Sequence, residues 1–183
     1  IKVGKSMRWN ETGIAFSRPI RWFVALFGDA VIPFEFAGIA SSNVTRGLRP
    51  YGSPDIKVSD VASYLKAIDE QHIVLDYDKR QQVILEQLKP LIDEVGGVIP
   101  EDKGLLAEVT NLIEAPTAFR GTFEEKYLEL PRDVLVTVMR KHQRYFAVED
   151  ADGKLMNYFI GVRNGDNEHI DKVIVRYEPI AHC

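Results

Sequence analysis

The run Arg144-Tyr145-Phe146-Ala147-Val148, then Glu149-Asp150-Ala151-Asp152-Gly153, then Leu155-Met156-Asn157-Tyr158-Phe159-Ile160-Gly161-Val162, reads as a β-hairpin. Aromatic and β-branched residues fill both arms, and the acidic, glycine-ended link supplies turn chemistry. A similar pattern stands near the start of the chain. Ile20-Arg21-Trp22-Phe23-Val24-Ala25-Leu26-Phe27 leads through Gly28-Asp29-Ala30 to Val31-Ile32-Pro33-Phe34-Glu35-Phe36. The nearly continuous apolar first arm implies burial on both faces. Pro33 cannot donate a ladder hydrogen bond, which places the return arm at an edge or a bulge.

Helical signals fill the space between the hairpins. Residues 40–55 are punctuated by Gly47, Pro50, Gly52 and Pro54 and read as a loop. Ser59 is an N-cap candidate for a helix over Asp60–Ile68, and His72–Leu75 is a short strand candidate. From Asp76 apolar residues recur at helical spacing as far as Val95, and Gly96-Gly97 ends the run. Pro90 within it predicts a kink. Glu101-Asp102 begin another helix, with Leu105, Leu106, Val109, Leu112 and Ile113 inward and a stop at Ala115-Pro116. After a loop through Gly121, Pro131 opens a further helix with Val134, Leu135, Val138 and Met139 inward. Two antiparallel hairpins with three or four intervening helices define an α+β fold. The reading places one domain over 1–164, followed by a poorly patterned tail, 165–183, that is disordered or a truncated element.

At 183 residues, 45% hydrophobic and 27% charged, the composition suits a folded soluble domain. No apolar run reaches the roughly 18 residues of a membrane span, and no signal-peptide pattern is present. Cys183 is the sole cysteine, so no intrachain disulfide framework exists and a reducing compartment fits. The start at Ile1 rather than methionine is read as a piece of something longer. The net charge of −4 is unevenly spread: residues 1–52 carry seven basic and three acidic side chains, whereas residues 55–129 carry eight and sixteen. Contact with a polyanion must therefore come from local patches.

Few catalytic motifs present themselves. Gly4-Lys5-Ser6 has the ending of a phosphate-binding loop without its strand-to-helix context. The histidines at 72, 142, 169 and 182 lack metal-ligand spacing, and no catalytic or metal-binding residue is assigned. Two clusters stand out. Thr45-Arg46-Gly47-Leu48-Arg49 sets two arginines in a glycine-punctuated loop that a phosphate can approach. Arg140-Lys141-His142-Gln143-Arg144-Tyr145-Phe146 sets cations and aromatics across a helix-to-strand junction. Two readings stand for the second cluster. Its cations satisfy a helix C-terminus while its aromatics alternate in a strand, or Arg140, Lys141 and Arg144 meet RNA phosphates while Tyr145 stacks on an unpaired base.

The motifs Met7-Arg8-Trp9, Ser17-Arg18-Pro19-Ile20-Arg21-Trp22, Thr45-Arg46-Gly47, Glu108-Val109-Thr110-Asn111-Leu112-Ile113-Glu114-Ala115-Pro116, Glu129-Leu130-Pro131 and Met139–Phe146 are long, ordered and spread over most of the chain. Together they resemble the β subunit of bacterial-type glycyl-tRNA synthetase. The segment is also similar to the B3/4-type domain of the phenylalanyl enzyme's β subunit, which houses an editing site. The resemblance implies an accessory, non-catalytic domain of glycine–tRNA ligase that contacts tRNA or organises the subunit. Its partners would be glycine tRNA and the α subunit or α region, which uses ATP and Mg; the fragment itself would need no cofactor and no membrane. It further implies a cytoplasmic location, or an organellar stroma or matrix. An aminoacyl-tRNA deacylase and a purely structural packing module are the alternatives. Leu48 stands where the family usually has histidine, and the match fades beyond Asn164.

Overall fold

Residues 5–166 are described in a computed structural model, and the chain divides into two units, Ile1–Gln71 and His72–Cys183. The division falls inside the span that the sequence reading treats as one domain. Gly4 of the Gly-Lys-Ser run, His169, His182, Cys183 and all but the first two residues of the 165–183 tail lie outside the described residues.

The first unit is built from very short strands. β1 (Met7–Arg8) pairs antiparallel with β2 (Ala15–Phe16). β3 (Phe23–Val24) is followed by a tight hairpin of β4 (Leu26–Phe27) and β5 (Ala30–Val31). β6 (Glu35–Phe36) turns back on β7 (Ile39–Ser42), and β3 joins the other side of β7 in parallel. The long early hairpin expected from the sequence is thus replaced by a two-residue hairpin and a separate three-stranded sheet. Pro33 is the reason. It breaks the return arm, and the Ser41 hydroxyl bridges the gap by donating to the Ile32 carbonyl (2.7 Å) and accepting from the Phe34 amide (2.9 Å). Burial on both faces is also corrected: Phe27 is 80% exposed, and Trp22, Ile32, Phe34 and Phe36 are exposed as well. Strands this short cannot cover two faces, so the rings pack on one another, Phe23 tilted against Phe34 at 5.3 Å and Phe16 edge-on to Phe36 at 5.7 Å.

Residues 40–42, 44–46 and 55 of the expected 40–55 loop are strand. β8 (Val44–Arg46) pairs antiparallel with β9 (Asp55–Lys57), leaving 47–54 as the connection. A helix α1 (Val61–Glu70) follows, capped by Asp60 rather than Ser59. The Asp60 carboxylate accepts from the Ser63 amide (2.7 Å), while the Ser63 hydroxyl accepts from the Asp60 amide (3.0 Å). This reciprocal box lowers the Asp60 pKa, chiefly through the Ser63 backbone bond.

The second unit is a three-stranded antiparallel sheet covered on both faces. His72–Leu75 is not a strand; its backbone is held by a bond from the Val74 amide to the Glu114 carbonyl (2.8 Å). α2 (Tyr77–Asp93) is capped by Asp76 and holds Pro90 in its last turn. α3 (Lys103–Leu112) is capped by Asp102. Where the sequence reading saw a loop through Gly121, the chain forms β10 (Pro116–Thr122). α4 (Arg132–Val138) starts after Pro131 and widens into a π turn, Met139–Gln143. β11 (Phe146–Glu149) and β12 (Leu155–Asn164) form the expected second hairpin, and the sheet order is β10-β12-β11.

Alternation along β12 divides its side chains between two cores. Ile160 joins Phe146 and Val148 against Ile84 and Leu88 of α2 and Leu105 and Val109 of α3. Phe159 joins Phe119, Tyr145 and Leu155 against Leu135 and Met139. Leu112 and Val134, expected inward, are exposed. Each helix covers its sheet face with one narrow stripe, and these two residues fall outside it. β10 was hidden in the sequence by its small residues, yet those residues pack it. Gly121 pairs with Phe159 and Gly161 with Phe119 across the strands, and a Cβ at either glycine would collide with the opposite ring.

Candidate nucleic-acid interface

The second-unit cluster sits on the turn that carries the chain from α4 into β11. The π turn keeps Met139 buried and ends at Arg144, whose left-handed backbone (φ 60°) redirects the chain into the strand. Arg140 pairs with the Asp102 carboxylate through Nε, and its second nitrogen donates to Oδ1 at 3.1 Å. Asp102 also accepts from the Leu105 amide (2.8 Å), so one carboxylate both caps α3 and ties it to the turn after α4. The Arg140 hydrogen bond holds the Asp102 carboxyl below the usual carboxylate range, and Asp102 in turn raises the guanidinium pKa. Arg144 donates from Nε to Glu108 on α3 (2.6 Å) and also to the Lys141 carbonyl.

Tyr145 is 4% exposed and stacks on Phe159, with centroids 4.4 Å apart and planes 14° apart. A ring in that position has no face to offer a base, which corrects the stacking role expected of it. Lys141 is exposed. For Arg140, Arg144 and Tyr145 the tertiary structure therefore supplies intramolecular partners. The large cleft of the same unit, about 840 Å³ between α2 and residues 97–103, is mainly apolar. The two lysines beside it face carboxylates, Lys89 to Asp93 (2.7 Å) and Lys103 to Glu101 (3.2 Å).

The first-unit cluster is differently placed. Arg46 ends β8, pairs across the hairpin with Asp55 (3.0 Å), and lies over the Trp22 ring at 5.7 Å. Arg49 is exposed at the start of a single helical turn, Arg49–Tyr51. Leu48 between them is 2% exposed and anchors the connection, whose ends close through the Gly47 amide to the Pro54 carbonyl (3.0 Å). Leucine at this position is a core residue, where a histidine would have brought polar chemistry. In the same unit Lys5, Arg8, Arg18 and Arg21 are all exposed, as are Trp9 and Trp22. Exposed cations and aromatic rings are the side-chain types with which proteins in general bind single-stranded nucleic acid.

Several residues that organise these units escaped the sequence reading. Gln87 on α2 donates to the Pro116 carbonyl (3.0 Å) and accepts from the Ala118 amide (2.7 Å), satisfying the outer edge of β10. Arg80 donates to the carbonyls of Thr110 near the end of α3 (2.9 Å) and of Val74 before α2 (2.6 Å). Arg132 pairs with the buried Glu149 and is raised in pKa by it. These partners lie far apart in sequence, so no local pattern announces them. Trp22 does carry a local signal, an aromatic flanked by Arg21 and preceded by Arg18, which the sequence reading places in a strand arm and a family motif rather than in a site.

The comparisons with known proteins agree with the resemblance. A family model described as glycyl-tRNA synthetase beta subunit matches residues 1–182. A glycine–tRNA ligase beta subunit of Oceanobacillus iheyensis is 49% identical over 183 residues, 100% of this chain and 26% of that protein. Those of Shouchella clausii and Clostridioides difficile are each 46% identical over 179 residues, 98% of this chain and 26% of theirs. The chain thus spans about a quarter of the length of the curated relatives it matches. With that match running from end to end, the chain belongs to the glycyl-tRNA synthetase β-subunit family.

Proposed function

We propose that this chain is a tRNA-contacting accessory region of a glycine–tRNA ligase β subunit. It works with an α subunit or α region that activates glycine with ATP and Mg, in the cytoplasm or its organellar equivalent, and it performs no bond-making step itself. The observation carrying this reading is the contrast in arginine placement. Arg8, Arg18, Arg21 and Arg49 are exposed in a stretch with a basic excess and pair with no carboxylate among the described residues, and Arg46 meets only the exposed Asp55, whereas Arg140 and Arg144 are tied to Asp102 and Glu108 at α3. Lys141, exposed on the same turn, adds a weaker electrostatic contribution.

Phosphate contacts release counterions, so each one steepens the dependence of binding on salt. In the assembled enzyme, Arg46→Gln with Arg49→Gln should weaken glycine tRNA binding and lower the log–log salt slope by roughly one unit per lost contact. An unchanged slope in a tRNA-binding titration at 50–200 mM salt would remove this loop from the interface.

A further inference from the structure

The first unit contains a concavity that the arginine loop alone does not explain. It has a volume of about 400 Å³ and is walled by Phe23 from β3, by Trp22 just before that strand, and by Tyr64 and Val61 from the first turn of α1. Thr45 of β8 forms part of the lining. Three aromatic residues around so small a space leave room for a flat apolar ligand, and the volume is at the lower end of those that hold small organic molecules. A nucleic-acid duplex or a protein helix does not fit in it.

Two polar features accompany the rings. Arg46 projects its guanidinium over Trp22 and is fixed there by Asp55, so a permanent cation stands beside the Trp22 wall. Thr45 is 4% exposed, and its hydroxyl makes no hydrogen bond among the described residues. A hydroxyl so placed can both donate to and accept from the edge of a ligand. Aromatic walls, a polar handle inside and a cation beside them match one nucleotide: a base that stacks, an edge that hydrogen-bonds, and a phosphate that lies near the guanidinium.

We infer that this pocket receives an unpaired nucleotide of the bound tRNA, with its base among Trp22, Phe23 and Tyr64, its edge on the Thr45 hydroxyl and its phosphate near Arg46. The inference rests on the tRNA-contacting reading above and assigns it a specific subsite. Paired stem nucleotides are excluded because their bases are stacked and their edges occupied. Arg49, on the connection three residues beyond Arg46, extends the phosphate contact along the strand.

The test uses the assembled α/β enzyme and glycine tRNA. Trp22→Ala should weaken tRNA binding roughly 5- to 150-fold, the range that one lost base-stacking contact spans. Trp22→Phe should restore most of it. The salt slope should not move in either variant, because stacking displaces no counterions. Glycine tRNA carrying 4-thiouridine in one unpaired segment at a time should photo-crosslink, from one of those segments, to the peptide holding Trp22 or to that holding Tyr64. Damage to the fold of the unit would instead lower the slope along with affinity and would prevent the crosslink in Trp22→Phe. Normal binding by Trp22→Ala, with Arg46→Gln still lowering the slope, overturns the pocket and leaves the tRNA-contacting reading standing. Crosslinks confined to other parts of the β subunit overturn the pocket as well. If neither the tryptophan nor the arginine variants alter binding, both readings fall.

Discussion

The two units handle the same residue types in opposite ways. In the second, Phe119, Tyr145 and Phe159 are buried against one another, and Arg132, Arg140 and Arg144 each reach a carboxylate. In the first, Trp9, Trp22, Phe27, Phe34 and Phe36 are exposed, and exposed arginines lie in a stretch with more basic than acidic side chains. The difference follows from strand length. A ten-residue central strand, β12, offers both faces to helices and can pack large rings on each. Strands of two to four residues cannot, and their rings remain at the surface. A framework that has buried its aromatics and neutralised its arginines leaves few of either at its surface, whereas the first unit, in which Arg46 alone of the described arginines meets a carboxylate, keeps rings and cations exposed.

The largest test of this contrast is Phe159→Ala. The ring is fully buried between Phe119, Tyr145 and α4, so its loss should cost about 3–5 kcal/mol in urea unfolding. Gly161→Val attacks the same packing from the other side by pushing a branched side chain into Phe119. It should cost about 1–3 kcal/mol, and a neutral result would mean that the β10–β12 contact has room to spare.

Asp102→Asn should have a smaller effect, about 1 kcal/mol at neutral pH once solvent screening at a partly exposed pair is allowed for. The folded Asp102 carboxyl titrates below its unfolded value of about 4. Its stabilisation is therefore complete above that value and is lost as pH falls through the lower folded pKa. The stability gap between the parent and Asp102→Asn should close in acid; a gap independent of pH would show that the charge contributes nothing. Phe27→Ser, at a ring 80% exposed, should change stability by no more than about 0.5 kcal/mol. The smallest expected effect is the most informative about function. Arg140→Gln should leave the salt slope of tRNA binding unchanged, and a slope that falls as it does for Arg46→Gln would break the contrast between the units.

Much of the second unit was legible in the sequence because its signals are local. The helical spacing after Asp76, the run from Leu105 to Ile113 and the hairpin around Gly153 correspond to α2, α3 and β11–β12. The hairpin turn is closed by its own side chain, with Asp150 accepting from the Asp152 and Lys154 amides at 2.9 Å. β10 was not legible, since Pro116 and Gly121 argue against a strand and it is the ladder to β12 that makes one of it, with Phe159 filling the space at Gly121 and Gln87 holding the outer edge. In the first unit the order was reversed. Aromatic density predicted a buried hairpin, but the missing amide of Pro33 ended the ladder and Ser41 rerouted it.

Among the site residues, sequence identified both arginine clusters and the family that contains them. It could not tell an arginine tied to a distant carboxylate from one left exposed. That distinction depends on where carboxylates arrive in space, and Asp102 and Glu108 lie 38 and 36 residues from Arg140 and Arg144. Family, α+β class and the uneven charge were therefore set by the chain's own residue order, because periodicity, turn chemistry and composition act over a few residues at a time. Which cations are neutralised, which rings are buried and which hydroxyl lines a cavity were decided only by long-range packing, because each depends on the partner that folding brings alongside.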